Sequence, residues 1–428
     1  MTGGTADLCM PLLLTSLYMK HLRKLTGILL AGLLALACLS AAAQQQPETL
    51  RAEVIKPLQQ AQELNKQNKN AEALARFAEV DALPTANPLE VFTIERLRAV
   101  VHLAAGNPAA AGKALEKALQ TERGTVADRL ALMENLVLIQ YRAKQYADAA
   151  IWAGRYLALG GQRDQFKQLQ GQALYLSGQY QPAVDILQPR LVAELAAGRV
   201  PDEVDIRLLA NAYQQVKNST GYVSTLETLV RFYPKPEVWA DLLFRVLQRK
   251  DFPGYLEIDL RRLMQQTGAV SSIADALDHA QLAISAGYPA EARKVLERVK
   301  ASAKPESAEE GAKLNTVLAE ATRLQQEDDK QLPQLDAQLA QARDGNPWVN
   351  TGLNLALAGQ AARGASVMAQ GIEKGGLRQP EAARLRLAYA QLLADQKDPA
   401  HKTLQSITGA SPEALLARLW LLHLQAKT

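Results

Sequence analysis

Apolar and small residues recur along this chain at the spacing expected of paired helices. The clearest stretch is GQALYLSGQYQPAVDIL at 171–187, in which Tyr180, Ala183 and Leu187 follow one another at intervals of three and four residues. Such spacing places the three side chains on one face of a helix. Gly178 interrupts the pattern where the chain would turn. The stretch therefore predicts a helix, a tight turn and a second helix.

The same arrangement returns along the chain. Turns between two helices are predicted to begin at residues 68, 106, 144, 178, 217, 250, 287, 359 and 396. Their intervals are 33 to 39 residues, except for one of 72 that equals two units. Because such a period is typical of stacked helical repeats, the chain is predicted to hold about ten helix pairs, one of them degenerate.

Prolines mark the same boundaries independently. A proline inside a helix costs about 3 kcal/mol, whereas at a helix start its missing N–H is tolerated. Asn87, followed by a proline and then by Glu90, predicts a capping box at a helix start, and Asn346 and Ser411 precede prolines in the same way. The prolines at predicted starts are Pro88, Pro201, Pro236, Pro347, Pro380 and Pro412 for first helices, and Pro108, Pro182, Pro253, Pro289 and Pro399 for second helices.

These features resemble the tetratricopeptide repeat (TPR), a 34-residue helix–turn–helix unit. The resemblance implies an all-α fold, a right-handed α-solenoid of about ten TPR-like helix-turn-helix repeats. No convincing run of alternating β-branched residues predicts a strand. The matching positions are Gly171, Gly178, Tyr180, Ala183 and Leu187, while Lys167 and Gln170 stand where the family favours a large residue and Leu.

The first 43 residues have the features of a processing segment rather than of a fold. Lys20, Arg23 and Lys24 form a basic region ahead of an apolar run at 25–39. The run is short for a membrane span, which takes about 20 apolar residues. A basic region, a short apolar run and small residues before a cleavage point characterise a secretory signal peptide.

We expect the signal peptide to begin at Met19 and to be cleaved after Ala43, which leaves 1–18 as a misassigned upstream extension. The prediction is export to the periplasm of a Gram-negative cell. An uncleaved membrane anchor is one alternative. Cys38 gives another, because the residues before it partly resemble a lipoprotein cleavage box, although their order is wrong. Acylated Cys38 would hold the chain at the outer membrane.

Composition excludes several kinds of site. Both cysteines, Cys9 and Cys38, lie in the leader, so the predicted mature chain has no disulfide, thiol nucleophile or cysteine-bound metal. Without 1–43, the net charge of +4 falls because three basic residues and Asp7 are removed, which leaves 45 basic and 43 acidic residues. This balance gives no electrostatic footprint for nucleic acid.

Enzyme motifs fail on their own spacing. The stretch GNPAAAGKA at 106–114 has five residues between its glycines where a phosphate-binding loop has four, and Ala114 stands where Ser or Thr should bind magnesium. The chain is predicted to be no enzyme, with no cofactor and no metal. Its remaining histidines are isolated in sequence, without the converging ligands of a metal site: His102, His279, His401 and His423.

With enzyme motifs and metal sites set aside, the candidate functional site is a surface that binds a partner. The TPR resemblance implies that Arg207 and Asn211, four residues apart on one helix face, occupy positions at which family members clamp a peptide carboxylate. Neighbouring repeats carry Gln where further basic residues would be expected. The prediction is a polar groove for an extended peptide or partner loop, and an ordinary solvated face is the alternative. The groove positions in three repeats are Glu134, Tyr141 and Arg142, then Gln168, Gln172 and Tyr175, then Arg207, Asn211, Gln214 and Gln215.

The last predicted helix is apolar on more than one face, whereas a terminal repeat normally has a polar outer face. Two interpretations stay open. The helix tucks into a groove of the last helix pair, or it docks through Leu419, Trp420 and Leu421 on a partner or on a second copy as a homodimer.

Four segments are predicted: the extension and signal peptide at 1–43, an N-terminal TPR-like solenoid at 44–300, a degenerate repeat or hinge at 301–333, and C-terminal repeats with a capping helix at 334–428. The acidic run at 327–330 is expected to interrupt a helix. The predicted function is a periplasmic TPR scaffold that binds protein or peptide partners in a cell-envelope assembly, secretion or transport complex. A lipidated outer-membrane assembly component, or the helical part of a cell-wall or polysaccharide-handling enzyme system, are the alternatives.

Overall fold

The protein is all-helical in the part that the computed structural model describes, residues 48–84, 86–270 and 272–425. No strand occurs among these residues, and the predicted all-α fold is confirmed. They form two compact units that divide between Ala143 and Lys144. The predicted leader and its Cys38 lie outside the described residues.

The first unit begins with two helix pairs. Asn87 caps α3 (Pro88–Ala104) as predicted: its side chain accepts a hydrogen bond from the backbone N–H of Glu90 at 2.9 Å, and the Glu90 carboxylate accepts one from the N–H of Asn87 at 3.2 Å. Glu90 is fully buried, and Arg51 bonds it at 2.8 Å, which lowers the pKa of Glu90. The helices are α1 (Ala52–Lys66), α2 (Asn70–Asp81), α3 (Pro88–Ala104), α4 (Pro108–Gln120) and α5 (Val126–Arg142).

The second unit continues the alternation of helix and short turn. Its first helices are α6 (Tyr146–Ala158), α7 (Asp164–Leu176), α8 (Tyr180–Ala196), α9 (Glu203–Gln215), α10 (Ser219–Phe232), α11 (Pro236–Leu247), α12 (Glu257–Thr267), α13 (Ile273–Ser285) and α14 (Pro289–Ser302). They are followed by α15 (Ala308–Gln331), α16 (Leu335–Ala340), α17 (Asn346–Leu357), α18 (Ala361–Lys374), α19 (Pro380–Leu393), α20 (Lys397–Gln405) and α21 (Pro412–Gln425). Short 3-10 turns precede α12 and α16.

Each predicted turn lies between two helices, and most share one backbone conformation. Gly178 has a φ of 80°, in the left-handed region that glycine adopts without a steric penalty. Residues other than glycine take up the same region at four further turns, so the geometry of the turn prevails over residue preference. They are Asn68, Lys144, Lys217 and Asp395, with φ between 57° and 61°.

The stretch 301–333, predicted to be a degenerate repeat or a hinge, contains the long helix α15, and a 3-10 turn leads from it to the short helix α16. The 24-residue helix α15 is continuous, so the acidic run at 327–330 does not interrupt it, contrary to the prediction. No glycine or proline stands between Ala312 and Leu332, and nothing in that stretch ends a helix. Pro333 follows and terminates it. The segment bounds at 300 and 334 stay predictions.

Helix starts follow the prolines with some exceptions. Prolines begin α3, α4, α11, α14, α19 and α21, and Ser411 caps α21 through the N–H of Ala414 at 3.1 Å. Asn346 is not a cap but the first residue of α17, and its side chain bonds the loop after α18 at the carbonyl of Gly376. Two prolines, Pro57 and Pro189, lie inside α1 and α8.

Glycines allow the backbones of α17 and α18 to approach very closely. A Cβ on Gly364 would lie 2.4 Å from the carbonyl oxygen of Gly352, and one on Gly352 would lie 2.6 Å from the carbonyl oxygen of Gly364. Any side chain at either position would force the two backbones apart, because tightly packed interiors cannot absorb added volume.

We predict that Gly364→Ala lowers the free energy of unfolding by about 1–3 kcal/mol, although alanine has the higher helix propensity. Gly112→Ala in α4 is the matched control. Its Cβ would lie 3.6 Å from the side chain of Ile139, which is ordinary contact, so this variant should be neutral or more stable by up to about 1 kcal/mol. Urea unfolding followed by circular dichroism measures both. Equal changes in the two variants would contradict the close approach.

Candidate functional site

A cluster of buried charges holds the later helices of the second unit. Arg262 on α12 is 1% exposed, and its guanidinium bonds Glu291 on α14 at 2.7 Å and Asp259 at 2.6 Å. The Nε2 atom of His279 on α13 lies 3.1 Å from a Glu291 oxygen. Burying a charge without a partner has a large free-energy cost. Removal of any one of these groups would therefore destabilise the fold by leaving the others unpaired. The rings of Tyr288 and Tyr389 lie within 5.5 Å of the Arg262 guanidinium.

This cluster, defined by Arg262, Asp259, Glu291 and His279, also binds a helix remote in sequence. Arg386 on α19 bonds Asp259 at 3.0 Å, across 127 residues of chain, and donates to the carbonyl oxygen of Tyr255 at 3.1 Å. The Tyr255 hydroxyl in turn donates to Glu413 on α21 at 2.6 Å, and this hydrogen bond raises the pKa of Tyr255 to about 12. The last helices are thereby tied back to the middle of the unit.

The C-terminal helix α21 is therefore an internal element. It packs against α10, α12 and α19, which explains its apolar character on more than one face. Leu419 is fully buried and Trp420 is 3% exposed, with the indole 5.7 Å from the ring of Tyr389. Leu421 is half-buried. The docking surface predicted at 419–421 is wrong, because its largest side chain fills the core of the same chain.

Helix α21 thus folds back onto the middle of the unit, and we call this arrangement the fold-back. It leaves a cleft of 830 Å³ between α10, the end of α11 and α21, which we name the α21 cleft. Arg418 on α21 bonds Glu227 on α10 at 2.9 Å, so the opposite walls are joined across 191 residues of chain. Leu415 contributes an apolar position from α21. The cleft is open to solvent on one side.

Basic side chains predominate in the α21 cleft. Five of them line it against two acidic ones. Its floor includes Tyr222, which is 7% exposed and whose hydroxyl donates to Asp241. Burial and that carboxylate raise the pKa of Tyr222 to about 12, so its hydroxyl stays protonated at neutral pH. The basic residues are Lys217, Arg245, Arg249, Lys250 and Arg418, and the acidic residues are Glu227 and Asp251.

The residues of the predicted groove are distributed over both units. Gln168, Gln172 and Tyr175 lie on α7 and the Arg207 group lies on α9 in the second unit, while the remaining three lie on α5 in the first: Glu134, Tyr141 and Arg142. Gln172 donates to Asp205 on α9 at 2.7 Å. Tyr175 packs edge-on against Tyr180, with ring centroids 5.5 Å apart.

The predicted clamp pair differs in its surroundings. Arg207 bonds Glu203 at 2.8 Å, and Lys235 bonds the same carboxylate at 2.8 Å, so this cation already has a partner. Asn211 and Gln214 are exposed. Gln214 is the predicted groove residue that lines the α21 cleft.

Several residues of the α21 cleft are absent from the predicted groove. Lys217 and Lys250 stand at the turns of successive repeats, where stacking brings equivalent positions side by side, so a basic residue at both turns was a usable signal. Arg418 reaches the cleft only through the fold-back of α21, and no local pattern indicates that contact.

Within the described ranges, no three His, Cys, Asp or Glu side chains are grouped so that they could hold a metal ion. Among the helices of the same residues, none is both long and apolar enough to cross a membrane.

The best-formed helix pair, α7 with α8, shows the packing of a TPR unit. A Cβ on Gly171 would lie 2.6 Å from the side chain of Leu187, so the two helices touch where the sequence has its small residue. Ala183 is fully buried and Leu187 is 3% exposed beside it. Together with Gly178 in the left-handed turn, these residues hold the positions that the repeat requires. The described helices therefore have a TPR-like repeat fold.

Comparison of this TPR-like protein with protein-family models and with curated proteins gives no match. Solved structures are similar at low identity. MamA (41-end) from Desulfovibrio magneticus RS-1 is 16% identical, with 42% of this chain and 96% of the other covered and a TM-score of 0.30. The C-terminal part of a TPR repeat-containing protein from Cytophaga hutchinsonii is 16% identical over 60% and 99%, with a TM-score of 0.31. Yeast Tom70 is 12% identical over 87% and 95%, with a TM-score of 0.24. Similarity this distant carries no argument about function.

The Arg262 cluster makes the stability of the TPR-like second unit depend on pH. Burial alone would raise the pKa of Glu291, but Arg262 and the hydrogen bond from His279 outweigh it and lower the pKa to about 2. The folded-state pKa thus lies below the ordinary value near 4.3. The stabilisation is therefore complete above about pH 5 and is lost as the pH falls towards 2.

We predict that Glu291→Gln lowers the free energy of unfolding at pH 7 by about 3–5 kcal/mol, because Arg262 loses a buried partner. The variant's free energy of unfolding should also change less between pH 5 and pH 3 than that of the wild type. All four tryptophans lie in the second unit, so urea unfolding followed by tryptophan fluorescence reports on it. Glu297→Gln, in an exposed pair with Arg293, is the control and should change stability by less than about 1 kcal/mol. An unchanged pH dependence in Glu291→Gln would contradict the assignment.

Proposed function

We propose that this TPR-like protein is a non-enzymatic scaffold that binds a protein or peptide partner. The observation that carries the proposal is the α21 cleft. Small-molecule sites are mostly apolar and enclose their ligand, with only a few polar groups. The α21 cleft instead has many long polar side chains around Tyr213 and Tyr222, and it is open along one side. Such a mixture suits a segment of another protein, which brings its own backbone and side-chain polar groups.

The walls of the α21 cleft are rigidly supported, as a binding scaffold requires. The Arg262 cluster fixes α12, α14 and α19, and the bond between Tyr255 and Glu413 fixes α21. A preformed surface loses little conformational freedom on binding, so more of the contact energy appears as affinity. Arg262 and Glu291, whose pKa values are shifted in opposite directions, face each other and serve this support.

We further propose that the scaffold acts in the periplasm of a Gram-negative cell, in an envelope assembly, secretion or transport complex. The support for this location is the leader at 1–43, with its basic region, short apolar run and small residues before Gln44. The alternative, a lipoprotein anchored through Cys38, predicts a different mature N-terminus.

Expression in a Gram-negative host should yield a periplasmic protein that begins at free or cyclised Gln44, as measured by mass spectrometry of the intact chain. Cys38→Ser should leave this N-terminus unchanged, because Cys38 is removed with the leader. Ala43→Phe should block cleavage, since the cleavage site needs small residues. A diacylated Cys38 in the wild-type chain would contradict the proposed processing.

A photo-reactive residue in place of Gln214, which is exposed in the α21 cleft, should cross-link a partner protein in intact cells. Lys313 on α15 is exposed and lies outside the cleft, so the same substitution there is the matched control. The expected result is a heavier species from position 214 only, with the partner identified by mass spectrometry. Recovery of nothing, or of this chain alone, would contradict the scaffold function.

A further inference from the structure

We propose that the α21 cleft binds an acidic, extended segment of the partner. This inference rests on the proposed scaffold function and adds the chemistry of the segment that is bound. The α21 cleft shares only Gln214 with the predicted groove, whose positions lie on the first helices of the repeats. The α21 cleft is formed by the turns that begin at 217 and 248, by the outer side of α10 and by the returning helix α21.

The charge of the cleft is the first argument. Five basic side chains face two acidic ones, within a chain whose predicted mature form has nearly balanced charge. Lys217 and Lys250 are both exposed, and neither forms an ion pair with any residue that the structure describes. Two unpaired cations at neighbouring turns favour a ligand with more than one carboxylate.

The remaining three cations are held by exposed ion pairs, and the first of them is Arg245, which bonds Asp241 at 3.3 Å. Arg249 bonds Asp251 at 2.7 Å and Arg418 bonds Glu227 at 2.9 Å, and the two arginine side chains are 46% and 52% exposed. Exposed pairs contribute little to stability, so a ligand carboxylate can share or replace the resident one at small cost. Arginine also offers several donors in a planar fork, which suits carboxylate binding.

The floor of the cleft supplies the non-ionic part of recognition. Tyr213 and Tyr222 are buried with their hydroxyls bonded to Gln188 and Asp241, so their rings are held in place. Leu415 adds an apolar position on the opposite wall. An extended peptide can pack its backbone and small side chains on such a floor while its carboxylates reach the rim.

The acidic residues on the rim argue against a nucleic acid as occupant. Glu227 and Asp251 would repel a continuous chain of phosphates, whereas a peptide can place its carboxylates only beside the cations. An acidic peptide is therefore the proposed occupant of the cleft, and binding of a single-stranded oligonucleotide is an outcome of the test.

The probe is a short fluorescein-labelled peptide of alternating glutamate and alanine, titrated with the exported protein and followed by fluorescence polarisation. Its glutamine counterpart is the matched neutral peptide. We expect the acidic peptide to bind at least about tenfold more tightly than the neutral one, with affinity that falls as salt rises. Equal binding of the two peptides, or tighter binding of an oligothymidylate, would overturn the inference.

Variants that remove a positive or a negative charge test whether the peptide binds in the α21 cleft. Lys217→Gln with Lys250→Gln should weaken binding of the acidic peptide about tenfold, while Lys113→Gln with Lys313→Gln, at exposed positions outside the cleft, should leave it unchanged. Glu227→Gln should tighten binding about threefold, because it removes a repelling carboxylate. A damaged fold cannot tighten binding, so this variant separates recognition from stability. Loss of affinity in Glu227→Gln would overturn the inference.

Negative results in the peptide test and in the cross-linking at position 214 have different meanings. A partner captured in cells together with a peptide that shows no preference for acidic residues would retain the scaffold function and overturn only the acidic segment. Absence of any partner in cells would contradict the scaffold function itself.

Discussion

The ion pairs of Arg262 with Glu291 and Asp259 are the constraint on which the second unit depends. Two helices, α12 and α14, meet at this guanidinium, and Arg386 adds a third, α19, through Asp259. A hydrophobic core of the same volume would be at least as stable, because burying charges carries a large desolvation penalty. Charged hydrogen bonds, however, accept one geometry only. We therefore interpret the cluster as a device that fixes the register of α12, α14 and α19.

The α21 cleft is a consequence of that register. In a linear array each repeat contacts only its neighbours, and a terminal helix is covered on one side. Here α19 and α21 return to α10 and α12, so α21 is covered by helices that precede it by well over a hundred residues. Its apolar faces are used in the core, and its charged edge at Arg418 becomes a wall of the cleft. Architecture and candidate site thus have the same origin.

The local features of this fold could be predicted from sequence, and the remote ones could not. Turn positions and the cap at Asn87 depend on residues within one helical turn, so the local sequence is sufficient to predict them. Helix α15 was mispredicted because the repeat period was given more weight than the lack of any helix-breaking residue. Of the candidate site, Gln214 could be predicted by its position in the repeat. The contacts of Arg386 and Arg418 depend on partners 127 and 191 residues away, and the repeat period of the sequence does not predict contacts at such separations.

The fold-back of α21 also sets an order of events for the chain during its synthesis. A repeat array with neighbour contacts alone can fold as it emerges, one pair after another. In this chain Arg386 is the second partner of Asp259, beside Arg262, and Arg418 is the partner of Glu227, so both long-range ion pairs form only after the C-terminal helices have been made. Long-range closure of this kind slows folding, because loop entropy is lost before the contacts form. Until α21 arrives, Trp239 and the apolar sides of α10 and α12 stay uncovered, and a chaperone that shields them would act at this stage.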